Sequence, residues 1–301
     1  ANRPSGSRWT WTVQSVQRTE RRKTRPGTVI SLHVLSPAAR VFNQFGHLER
    51  CALRPGNVHS ANGWEEVLKP IIARYADRHL MRFFRGDAAF AIPKLCKTLE
   101  AERYYYAIRL RNNRVLQGRI AHLLKRPVGR PPKGMKRIYG DFEYQAVSWD
   151  KPRRVVAKVE WHPGELIPRI GYVLTNMPME PDWIVRFYNQ RGTAEQYIKE
   201  GKQAINWTRL SCRGMAQNEV RLQLHALAYN LGVFLQGADL PKEMADWSLT
   251  SLPTRLIKIG ARIVQHARAI TFQLAEAGVT GDLFNRILST IQRLRAPPCP
   301  A

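Results

Sequence analysis

The sequence predicts an α/β fold, and three observations carry that prediction. Strand-like and helix-like stretches alternate between Val41 and Leu110. Residues 111–170 then turn β-rich around a Pro/Gly/basic linker. Helical periods follow, ending in an amphipathic stretch, LFNRILSTIQRL, near the C-terminus.

Residues 1–40 hold eight Lys and Arg, one acid (Glu20) and ten Ser or Thr, with no period of 2 or 3.6 beyond short fragments. Taken as protein, they read as a basic, disordered segment. Their Arg-rich, Ser-rich, acid-poor composition equally suits an organelle transit peptide. From Val41 the texture changes. VFNQFGHLERCALRPGN reads as a strand pair with turns at FG and RPG, and SANGWEEVLKPIIARYADR places apolar residues at helical spacing. MRFFRGDAAF is a short apolar strand that stops at Gly86-Asp87; a helix, IPKLCKTLEAE, and a strong strand, YYYAIRL, follow. An Asp just past a strand end in a β-α-β alternation lies where open sheets place function. An Asp capping a helical turn gives the same spacing.

In 111–170, residues 126–137 form the linker RPVGRPPKGMKR, and IYGDFEYQAVSW and RRVVAKVEWHPGELIPRIGYVLTN read as hairpins. Gly129-Arg130-Pro131 has the form of a minor-groove hook, or of a plain solvated loop. GMAQNEVRLQLHALAYNLGVFLQ reads as a core helix with His225 packed rather than ligating. In the tail, 241–301, Arg255, Lys258, Arg262, His266 and Arg268 make either a DNA-contacting or a solvated basic face.

The chain of 301 residues is long enough to bury a sizeable core, and its formal charge of +25 points to an anionic polymer, nucleic acid first. A 44% hydrophobic share is that of a globular protein rather than a ribosomal or chromatin protein. Cys51, Cys96, Cys212 and Cys299 lie far apart, which argues against a zinc site or a disulfide framework and for a reducing cytoplasm. There is no run of 18 apolar residues to span a membrane.

Tyr188 to Lys202, YNQRGTAEQYIKEGK, is the most informative stretch. At about 100° per residue, Tyr188, Arg191, Glu195 and Lys202 share one narrow helical stripe, with two cations beside a carboxylate. Cations that grip phosphate beside a carboxylate that holds a metal would use that pattern; so would an ordinary i, i+4 Arg-Glu pair on a surface helix.

The words YNQRGTAEQYIKEGKQAINWTRLSCR and VRLQLHALAYNLGVFL resemble DDE-type insertion-sequence transposases of the insertion-sequence-four superfamily. Within it they are similar to the thirteen-eighty family, from about Val41 to the C-terminus. Tyr, two residues, Arg, three residues, Glu, six residues, Lys resembles that superfamily's signature helix. The resemblance implies a ribonuclease-H-like core in two parts (41–110 and 171–240), a β-rich insertion (111–170) and a helical C-terminal tail (241–301). It implies Asp87, in an Asp-x-Gly/Ala-Phe word, as the second catalytic carboxylate and Glu195 as the third, both ligands of Mg²⁺ or Mn²⁺. It further implies Tyr188, Arg191, Lys199, Lys202 and Arg209 as DNA contacts, double-stranded DNA as transposon ends and target, homo-oligomers on paired ends, and a bacterial cytoplasm. A metal-dependent nuclease would share the carboxylates, and a non-catalytic DNA-binding remnant would keep the basic residues.

Displacement at phosphorus is accelerated by two divalent ions roughly 3.5–4 Å apart held by carboxylates. The resemblance implies a first carboxylate upstream of Val41, where this chain has no Asp. Trp is encoded as TGG alone and Thr as ACN. Read one nucleotide earlier, Trp9-Thr10-Trp11-Thr12 therefore becomes Leu/Met/Val-Asp-Leu/Met/Val-Asp, and Gly27 to Ser31 permits Asn-Gly-His-Phe. Both are words the family places there. Residues up to about Arg40 thus read as an out-of-frame translation, with loss of the first strand, an imperfect or open sheet, and negligible strand transfer as the expected consequences.

Overall fold

The computed structural model describes residues 27–35, 38–55, 57–59, 61–125, 134–237, 244, 247–266, 269–275 and 279–293. The chain divides into two compact units, Ala1–Glu195 and Gln196–Ala301.

The first unit is built on one eight-stranded sheet. β1 (Gly27–Leu35) pairs antiparallel with β2 (Ala38–Asn43), which pairs with β3 (Leu48–Leu53). The FG word makes the turn between β2 and β3. Asn43 Oδ1 accepts from the backbone N–H of Phe45 and His47, at 3.0 and 3.1 Å, and Gly46 takes a φ of 86° that a side chain would oppose. Helix α1 (Trp64–Tyr75) buries Trp64, Val67, Leu68, Ile71 and Ile72, the i, i+3, i+4, i+7, i+8 stripe of an amphipathic helix. β4 (Met81–Gly86), α2 (Pro93–Ala101) and β5 (Tyr104–Leu110) complete the alternation, and α3 (Arg114–Arg119) starts from an Asn113 cap. β6 (Lys136–Tyr144), β7 (Arg153–Trp161) and β8 (Arg169–Thr175) are followed by α4 (Pro181–Asn189) and α5 (Gly192–Glu200).

The strand order is β3-β2-β1-β4-β5-β8-β7-β6. β1, β4 and β5 are mutually parallel neighbours, and every other pairing is antiparallel. On one face, Ile30, Phe84, Tyr106, Ile108, Val155 and Leu174 pack with the apolar stripes of α1 and α2. On the other, Val29, Phe83, Ala107, Val156 and Val173 pack with Trp183, Ile184 and Phe187 of α4. Burial on both faces explains why β4 and β5 read as nearly continuous apolar runs.

Two expectations change here. The disordered segment expected over residues 1–40 does not extend to residue 40. Residues 1–26, 36 and 37 lie outside the described residues, but 27–35 and 38–43 are strand. β1 occupies the slot between β2 and β4, so the open seam expected from a lost first strand is absent. Its apolar residues account for this: Val29 and Ile30 are 3% and 0% exposed, one toward each core. The segment expected to be β-rich supplies β6, β7 and the start of β8, which lengthen this same sheet. β8 pairs with β5 from Ala107↔Thr175 to Leu110↔Tyr172, and β7 and β6 add on beyond it. The Gly129-Arg130-Pro131 word lies outside the described residues.

In the second unit, Gly201–Ile205 forms a widened π turn, and Asn206 then adopts a left-handed φ of 54°. That reversal folds Trp207 back onto Gly201. Trp207 is fully buried, with its ring centroid 5.0 Å from that of Tyr229 on α6 (Met215–Gly237). The helix expected to be core buries Leu222 and Tyr229, while Val220, Leu224, Leu227, Leu231 and Phe234 remain exposed. His225 has Nε2 buried, and desolvation with Arg221 nearby pushes its pKa down, which favours the neutral form. The tail, expected to be helical, ends in helix α7 (Gly281–Arg293) but also contains a hairpin, β9 (Ala261–His266) with β10 (Ala269–Leu274). Its alternating RIVQ and AITFQL words satisfy a period of 2 as well as 3.6. Arg262 therefore lies on a strand, and Arg268 lies outside the described residues. Among the described residues no helix is long and apolar enough to cross a membrane.

Candidate active site

The site is organised at the C-terminal ends of the parallel strands. β4 ends at Gly86, and Asp87 begins a 3₁₀ turn over Ala88–Phe90. Asp87 Oδ1 accepts from the Ala89 N–H at 2.9 Å, so the carboxylate caps that turn while standing half-buried at the strand end. The capping and site readings of Asp87 are therefore compatible. The register Gly86↔Ile108 places Asp87 level with Arg109 on β5, and Leu110↔Tyr172 brings Arg111 level with Gly171 on β8.

The neighbouring cations come from the α4–α5 connection. The stretch from Tyr188 to Lys202, expected as one continuous helix, is broken twice. α4 stops at Asn189, Gln190 and Arg191 form a turn, α5 restarts at Gly192, and the π turn follows from Gly201. Glycine is a poor helix former at both breaks, and the 100° projection does not carry across them. Arg85 on β4, 6% exposed, fastens the end of α4 to the sheet. Its Nη1 donates to the Phe187 carbonyl at 3.1 Å and to Gln190 Oε1 at 3.4 Å, its Nε donates to Ser31 Oγ of β1 at 3.1 Å, and the guanidinium lies over the Phe187 ring. A cation at a helix C-terminus is favourable against the orphan carbonyls there.

That anchoring sets Tyr188 and Arg191 beside Asp87. Burial pushes the Tyr188 hydroxyl above the usual phenol range; Arg191 and Arg109 pull it down and Asp87 pushes it up, which places all four groups within one electrostatic neighbourhood. Arg191 Nη2 donates to Glu195 Oε1 at 2.6 Å, with Glu195 59% exposed and Arg191 19%. A cavity of about 510 Å³ is lined by Asp87, Arg109, Arg111, Asn112, Gly171 and Arg191 among others. The structure thus brings Asp87, Tyr188, Arg191 and, through Arg191, Glu195 to one end of the first unit. Lys199, Lys202 and Arg209 belong to the second unit, where all three are exposed.

Residues 39–296 match the family described as "Transposase DDE domain group 1". The chain belongs to the DDE transposases. Among curated proteins no relative matches it. β1, the parallel neighbour of β4, contains no Asp or Glu, and the position after the last pair, Leu32↔Gly86, is His33. Among the described residues no group of three or more His, Cys, Asp or Glu gathers to hold a metal ion. Three guanidiniums face one carboxylate in the cavity, and Glu195 is engaged by Arg191. Hard divalent ions want several carboxylate oxygens, so the side chains present do not fit a resident two-metal centre.

Arg109 and Arg111 were missed as site residues in the sequence. An Arg closing a strand reads as solvated, and the alternation in YYYAIRL places Arg109 on the face of Tyr105 and Ala107 without revealing what lies beside it.

Proposed function

We propose that this chain is an insertion-sequence transposase of the insertion-sequence-four superfamily, thirteen-eighty family, acting on double-stranded DNA in a bacterial cytoplasm. In this reading it binds transposon ends, with Tyr188, Arg191, Lys199, Lys202 and Arg209 contacting phosphates, while its own centre for metal-dependent strand cleavage and transfer is incomplete. Asp87 and Glu195 stand as the second and third catalytic carboxylates, and the first is missing. The observation that carries the reading is Arg191, which pairs with Glu195 and lines the Asp87 cavity in a chain of the DDE family.

The order β3-β2-β1-β4-β5, with β2 antiparallel to β1, supports a ribonuclease-H-like core. The family match starts at residue 39, after the stretch whose shifted frame yields the Asp-x-Asp and Asn-Gly-His-Phe words, and this supports a slipped reading frame up to about Arg40. Family members use Mg²⁺ or Mn²⁺; here the donors for such an ion are two rather than three.

The test uses the purified chain, labelled transposon ends and Mg²⁺ or Mn²⁺. Salt-sensitive binding with negligible cleavage and strand transfer is expected. Robust cleavage contradicts the loss of function, and no binding at all contradicts the DNA reading. A version with the reading frame repaired over codons 8–32 is expected to regain strand transfer, which separates a transposase from a simple nuclease.

A further inference from the structure

The cavity at Asp87 has a chemistry that the absence of a third carboxylate does not explain. Its charged lining is Asp87, Arg109, Arg111 and Arg191; Tyr172 also lines it, and the Tyr188 hydroxyl is close by. Several cations elsewhere on this unit are matched by carboxylates, among them Arg137 by Glu160, Arg153 by Glu100 and Asp150, Arg154 by Asp141, Arg169 by Glu165 and Arg186 by Asp182. Among the described residues no ion pair joins Arg109 or Arg111 to a carboxylate, although both stand on a rigid strand end or directly after it. The register fixes the strand ends that carry these groups: Arg109 on β5 is one residue past the Gly86↔Ile108 pair, level with Asp87, and Arg111 directly follows Leu110, level with Gly171, which leaves the floor open, with Lys158 Cε the nearest atom to a would-be Cβ at 3.9 Å. Three like charges held around one concavity repel one another until an anion enters. The planar fork of Arg matches two phosphate oxygens at once.

We propose that Arg109 and Arg111, with Arg191, form a phosphodiester clamp, so that the pocket which in a complete centre gathers cations takes the DNA backbone itself in this chain. Asp87 then opposes binding instead of supporting it. This rests on the DNA-binding reading above and adds to it two residues, a place and a sign.

The test is fluorescence anisotropy of the full chain with a labelled 30-base-pair duplex, in EDTA, across 50–200 mM salt. The double variant R109A/R111A is expected to bind about tenfold or more weakly at the low-salt end, and its slope of log affinity against log salt to fall by about 2, near one unit per lost phosphate contact. R114A/R119A on α3 removes the same charge from positions that are exposed, as Arg109 and Arg111 are, but lie outside the cavity, and is expected to change affinity less than about twofold. R109K/R111K is expected to recover the salt slope, which excludes misfolding as the cause, and Asp87→Asn to tighten binding several-fold. If R109A/R111A behaves like the α3 control, or if Asp87→Asn weakens binding in EDTA, the clamp is wrong while DNA binding stands. If the unaltered chain binds no duplex, both the DNA reading and the clamp fail.

Discussion

Arg191 Nη2 lies 2.6 Å from Glu195 Oε1 while the same side chain lines the cavity of Asp87. The pair is an i, i+4 contact with a mostly exposed acid, so it contributes little to stability, about 0.3–0.5 kcal/mol. Its consequence is electrostatic. Glu195→Gln is expected to leave the melting temperature within about 2 °C of the parent and to tighten duplex binding in EDTA by releasing Arg191. Anisotropy and thermal unfolding check this, and a loss of affinity would contradict it.

Arg85 ties three elements together: β4, β1 through Ser31, and the end of α4 through Phe187 and Gln190. Replacing it by Leu strands buried acceptors and is expected to cost about 2–4 kcal/mol. Urea unfolding should show a lower midpoint with an unchanged slope. An unchanged midpoint would mean that the guanidinium does not hold α4 in place.

Gly201 has no room for a side chain. A Cβ there would overlap Trp207 Cζ2, on a ring that is fully buried. Gly201→Ala is expected to destabilise the second unit by about 1–3 kcal/mol or more and to shift tryptophan emission as Trp207 is pushed out. Parent-like melting and emission would refute the packing.

Glu100 supplies a pH dependence with a defined sign. Burial pushes its carboxyl up, but Arg153 Nε at 2.9 Å, Lys151 Nζ at 2.8 Å and the Tyr106 hydroxyl at 2.8 Å outweigh it, and the net shift is downward. A depressed folded-state pKa contributes stability that is fully present above the unfolded value, about 4.3, and is lost as the pH falls toward the folded one. The stability gap between the parent and Glu100→Gln is therefore expected to be constant from pH 7 to pH 5 and to narrow below about pH 4. Urea midpoints along that series check it, and a gap that widens in acid would reverse the assignment.

The thiols sort by burial. Desolvation pushes Cys96 up to about 12, and Cys51 is also buried, whereas Cys212 is half-buried. A disulfide-exchange reagent at pH 8 is expected to modify Cys212 well before Cys51 or Cys96 in the folded chain. Peptide mapping reads the order, and early labelling of Cys96 would contradict the buried position of α2.

Local pattern made the alternation from β2 to β5 legible, because turn residues such as Gly46 and apolar stripes such as that of α1 act over a few residues. β1 was not legible, since GTVISLHVL sits in a basic, Ser-rich context and its strand character depends on β2 and β4 lying on either side. The extension of the sheet by β8, β7 and β6 depends likewise on long-range pairing. In the site, Asp87 and the Tyr188–Glu195 stretch announced themselves through spacing. The breaks at Gln190 and Gly201 did not, because a pattern read at 3.6 residues per turn is blind to a turn inserted within it. Arg109 and Arg111 become site residues only through the register that aligns β5 with β4 and β8.

The most direct measurement of whether this centre receives cations or an anion is a count of bound Mn²⁺ by electron paramagnetic resonance on the full chain without DNA. We expect no tight stoichiometric site, and no change with Asp87→Asn. One or two Mn²⁺ per chain that disappear in Asp87→Asn would contradict the account.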